Sequence, residues 1–84
     1  MSKYEVELEA VYGSEDAVVN NIREAIARAG YQVGDCSMLE RNDDIGAACV
    51  IIHGDEAQIL NDDRTFCWSG LRVTVIGIYH GNLI

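Results

Sequence analysis

Apolar and polar residues alternate from Lys3 to Tyr12, in "KYEVELEAVY". Tyr4, Val6, Leu8, Ala10 and Tyr12 fall on one side of a strand with that pattern, and Glu5, Glu7, Glu9 and Val11 on the other. The period then lengthens. Ala17, Val18, Ile22, Ala25, Ile26 and Ala29 recur at helical spacing, with Asn20, Asn21, Arg23, Glu24 and Arg28 mostly off that stripe. Ser14 is placed to cap this helix, Glu15 and Asp16 occupy its first turn, Arg28 its end, and Gly30 the position just beyond it. The pattern predicts one helix over about 15–29.

Beyond Gly30 the apolar runs are short and β-branched. They predict strands over Tyr31 to Glu40, Ala47 to Gly54, Ala57 to Leu60, Arg64 to Trp68 and Leu71 to Tyr79. Turns are expected at "RNDDIG", Gly54-Asp55 and "NDD", and a turn or bulge at Ser69-Gly70. The fold class expected is therefore α+β: a β-α-β start, then antiparallel strands, with one helix on one face of a four- to six-stranded, mainly antiparallel sheet. The first two strands should run parallel. The opening with "EAIARAGY" is similar to that of ferredoxin-like domains, but a second helix is missing from the pattern, and no functional residue is carried over from them.

The later strands carry a complication. In "AACVIIHG", Cys49 and Ile51 alternate with Val50 and Ile52. In the last strand, Leu71, Val73, Val75 and Tyr79 alternate with Ile76 and Ile78. Both faces then read as apolar, whereas one helix covers only one face. The surplus face calls for a cover, and a homodimer packed through it is the expectation. Trp68, the one tryptophan, is expected in the core.

At 84 residues, with 49% apolar positions, the chain reads as a single domain spanning 1–84. No basic leader precedes an apolar run, and no stretch approaches the ~20 apolar residues of a membrane span. Cys36, Cys49 and Cys67 are odd in number, widely spaced and embedded in apolar runs, which fits free thiols in a cytoplasmic compartment.

Charge changes the functional picture most. Fourteen acidic residues against six basic ones leave a net charge of −8. Such a chain is repelled by phosphates and by anionic membranes, which argues against direct nucleic-acid or membrane binding. A basic protein surface is an electrostatically suited partner. Followed through the expected strand order, Glu15, Asp16, Asp43, Asp44, Asp62 and Asp63 gather at one end of the domain. With Glu5, Glu7 and Glu9 they are the candidate partner-binding residues. The plainer account is solubility, with turn chemistry explaining each acidic pair and the glutamate row forming a wet strand face that guards a sheet edge.

Catalytic and metal patterns are weak. His53 and His80 form no HxH or HExxH motif, the Ca²⁺-loop spacing is missing around Asp43, Asp44, Asp62 and Asp63, and neither a metal nor a cofactor is expected. Cys49 and His53, four apart on a strand, lie ~13 Å apart, beyond hydrogen-bond reach. A cross-strand Cys67–His53 pair is a bare geometric option. The leading expectation is a small acidic binding protein that docks on a basic partner, in its specific form a nucleic-acid-mimicking inhibitor of a nucleic-acid-binding protein, such as a virus-encoded inhibitor of host defence. The alternative is a small-molecule-binding or regulatory homo-oligomer relying on Arg23, Arg28 and Arg72.

Overall fold

The computed structural model describes residues 2–61 and 64–81. In chain order the elements are β1 (Ser2–Glu9), α1 (Glu15–Arg28), β2 (Gln32–Arg41), β3 (Ile45–His53), α2 (Glu56–Ile59), β4 (Thr65–Trp68) and β5 (Leu71–Ile78). The five strands form one sheet in the order β2-β3-β1-β5-β4, every neighbouring pair antiparallel. This is an α+β fold, with α1 packed on one face. β1 and β2 run in the same direction, as expected, but β3 lies between them, a split β-α-β arrangement. β1 is therefore the central strand.

The helix forms where its signals lie. The Ser14 hydroxyl accepts a hydrogen bond from the Ala17 amide at 3.2 Å, which satisfies one of the orphan donors of the first turn. Gly30 follows the cap residue Ala29 at φ 99°, where a side chain would be strained. Val18, Ile22, Ala25 and Ile26 form the buried stripe of α1. They meet Tyr4, Val6 and Leu8 of β1, Ala48, Val50 and Ile52 of β3, and Val73 and Val75 of β5 in one core cluster.

Three expectations are corrected. The strand expected over 57–60 is the single helical turn α2. The Asp55 carboxylate accepts from the Ala57 and Gln58 amides at 3.0 and 3.3 Å and caps it. Four residues are too few for their period to distinguish strand from helix. The alternation of the first strand fails after Glu9, because Ala10 adopts φ 62° and turns the chain. Val11 is consequently buried and Tyr12 is 69% exposed, the reverse of the pattern. In β5 the register slips against β1 between Glu5 and Val6, where Ile76 is the unpaired extra residue. Ile76 points away from α1, and the slip returns Ile78 to pack against the core. The second apolar face of β5 is thus largely the product of a bulge.

Candidate functional site

Because α1 covers one face, the alternate residues of each strand form an uncovered face. Tyr4, Val6 and Leu8 are fully buried under the helix, so Lys3, Glu5, Glu7 and Glu9 point the other way. The register sets Ile51, Cys49, Ala47 and Ile45 of β3 beside them in turn. On the β5 side lie Arg72, level with Glu9, then Thr74, level with Glu7, and the bulged Ile76. The acidic row and the surplus apolar residues, expected as separate features, occupy the same surface. Ile45 and Ile76 are 54% and 51% exposed there, on either side of the glutamates.

The acids on this face differ in their engagement. Glu9 pairs with Arg72 at 3.3 Å. The side chains of Glu5, Glu7 and Glu40 form no ion pair or hydrogen bond among the described residues. These three, with Ile45, Ala47 and Ile76, line an open hollow of about 340 Å³, to which Arg41 and Asn42 also contribute. The guanidinium of Arg41 donates from Nη2 to the Gly13 carbonyl at 2.8 Å.

The expected acidic end forms in part. Ala10 donates its amide to the Asp44 carbonyl at 2.8 Å, so the β2–β3 hairpin meets the loop that leads into α1. This brings Asp43 and Asp44 to the same end as Glu15 and Asp16. Glu9 is level with Ile45, directly beyond Asp44, so the glutamate row runs up to the hairpin. Glu15 and Asp16 belong to the helical layer, behind the sheet. The strand expected to carry Asp62 and Asp63 to this end is replaced by α2, and those two residues lie outside the described ones. Glu5, Glu7 and Glu9 guard no edge, because β1 is flanked by β3 and β5.

Glu40 and Ala47 complete the surface without having been singled out by sequence, and Ile76, which the sequence marks only as part of a second apolar face, joins them beside the glutamates. Glu40 comes level with Ala47 only after a second register slip, between Met38 and Glu40. Gly77 beside Ile76 is the one local signal of the β5 bulge.

His53 on β3 and Cys67 on β4 are separated by two intervening strands, about 14 Å of sheet, so they form no catalytic pair. Cys67 is exposed, against the expectation of an apolar burial, while Cys49 is buried and Cys36 half-buried, all three as free thiols. Burial pushes the Cys36 thiol up to about 12, helped by the neighbouring Cys49 and opposed by Arg23. Cys49 is also raised, chiefly by burial. Among the described residues no three His, Cys, Asp or Glu side chains are grouped to hold a metal ion. Of the arginines considered for an anionic ligand, Arg28 stacks 3.7 Å over the half-buried Trp68 ring and pairs with Glu24 at 3.1 Å. Arg72 is held by Glu9. Among the described residues, no helix is long and apolar enough to cross a membrane.

No protein-family model matches the chain, and neither a curated protein nor a solved structure is significantly similar to it.

Proposed function

We propose that the chain is a small acidic binding protein whose uncovered sheet face docks on a basic protein surface. The observation that carries this reading is the central row of Glu5, Glu7 and Glu9 flanked by the exposed Ile45 and Ile76. A desolvated apolar contact supplies affinity, and a like-signed row supplies steering and selects partners of the opposite sign. The net charge of −8 extends that field over the molecule. In its specific form the partner is a nucleic-acid-binding protein and the face an imitation of its ligand. Alternate carboxylates on β1 stand ~6.6–6.8 Å apart. Successive phosphates rise ~3.4 Å along a duplex while rotating about it, so their separation through space is of the same order.

A second copy of the chain competes for the same face. In a two-fold dimer whose axis passes through this central strand, each row of carboxylates meets its own image. Like charges held together at a desolvated interface oppose association. The acids therefore favour a basic partner over a homodimer.

Affinity capture at low and high salt tests the reading, with the wild-type chain and a Glu5→Gln, Glu7→Gln, Glu9→Gln triple variant as baits. The expected result is a basic, nucleic-acid-binding protein retained by the wild type at low salt, released at high salt and absent from the triple variant. Retention of the same protein by both baits contradicts it. So does a salt-stable wild-type dimer in sedimentation that Ile76→Asp dissociates, which assigns the face to self-association.

A further inference from the structure

We infer that the hollow beside β1 receives an arginine side chain of the docked partner. This rests on the reading that the uncovered face meets a basic protein and adds which group anchors it.

The hollow has a simple origin. Glu40, Ala47 and Glu7 stand level on three adjacent strands. Strands lie ~4.7–4.9 Å apart, so the two glutamate backbones flank Ala47 at a separation of about 10 Å. The alanine methyl leaves a gap between two long carboxylates. Ile45 stands beside that gap on the same strand as Ala47, Glu5 adds a third carboxylate on the same face, and Ile76 bounds the hollow from the far side of β1. Among the described residues, the one cation that lines it, Arg41, is already held by the Gly13 carbonyl. Three carboxylates without ion pairs thus face an apolar floor.

The volume of about 340 Å³ is at the low end for a ligand pocket, ~300–1,000 Å³. All of its lining comes from one layer, so a free small molecule would keep one side in water. A side chain delivered by a docked protein has its other side covered by that protein. The chemistry also separates the two basic side chains. A guanidinium presents donors along both edges of a plane, can reach carboxylates on opposite walls, and lays a weakly hydrated flat face against the Ala47 methyl and Ile45. An ammonium is a compact, strongly hydrated point charge that is served equally well at the exposed rim.

Fluorescence anisotropy with labelled hexa-arginine and hexalysine, titrated with the full chain at low ionic strength, tests this. The expected result is about tenfold tighter binding of hexa-arginine, the scale of one charge-assisted hydrogen-bond advantage. Ala47→Leu fills the hollow and leaves the net charge unchanged, so it should abolish the preference while hexalysine binds as before. Ala47 is half-buried with no layer above it, and a thermal melt checks that the variant folds. Glu40→Gln, at an exposed position, should reduce the preference and carries the test by itself if Ala47→Leu unfolds. Equal binding of the two peptides by the wild type overturns the anchor, as does a preference that survives in every folded variant. Binding of both peptides that is indifferent to the Glu5→Gln, Glu7→Gln, Glu9→Gln changes is a different failure, because it removes the docking face itself and the anchor with it.

Discussion

Cys36 faces the helical layer and holds its proton more tightly than a thiol in water, because burial there disfavours the thiolate. The folded chain therefore retains a proton that the unfolded chain loses above its ordinary thiol value of 9.0. Stability is fully present below that pH and falls as pH rises toward the folded-state value of about 12. Cys49 and Tyr4, both raised chiefly by burial, act in the same direction. Urea midpoints measured across pH 9 to 12 should decline, and Cys36→Ala should make the decline shallower. Parallel declines in the two proteins would contradict this role for Cys36. Single residues were legible in sequence where alternation held, as at Tyr4, Val6 and Leu8. They were not legible past Ala10, because a left-handed backbone angle at a residue other than glycine leaves no mark on a hydrophobic pattern.

The hairpin that joins β4 to β5 shows how an element is closed by two residues. Trp68 and Leu71 pair directly, and Ser69 and Gly70 between them adopt φ 53° and 81°. Positive φ at both central positions is the mirror-image turn that matches strand twist, with Asn-Gly as its preferred sequence. Serine in the left-handed region bears part of a cost of roughly 1–2 kcal/mol, which asparagine reduces. Ser69→Asn should therefore raise the melting temperature, with a gain that is a fraction of that cost. An unchanged or lowered melting temperature would contradict the turn assignment. Among the elements, α1 and the long strands were plain from period and caps. α2 was not, since its decisive feature is the Asp55 carboxylate on two backbone amides rather than any periodicity. The register slips in β2 and β5 were hidden for the same reason. A bulge shifts the phase of a strand relative to its partner, and one strand read alone carries no record of its partner.

At the scale of the molecule, the strand order decides which charges are neighbours. The order places β1 in the centre of the sheet, so Glu5, Glu7 and Glu9 form the middle of a broad surface instead of an edge. Strand order depends on pairings between distant segments, which local patterning does not encode. The acidic row was thus visible in the sequence, while its apolar flanks Ile45 and Ile76 and its company with Glu40 required the fold. The same order separates the face from the acids of the helix start. The molecule thus carries two acidic regions, the uncovered face and the end where Glu15, Asp16, Asp43 and Asp44 gather, and the proposed docking belongs to the first. The most direct test is an amide chemical-shift map of the ¹⁵N-labelled chain titrated with hexa-arginine at low salt. The account predicts the largest shifts at Glu5, Glu7, Ala47 and Ile76, on three adjacent strands of one face. Shifts confined to Glu15, Asp16, Asp43 and Asp44, with the sheet face unperturbed, would contradict it.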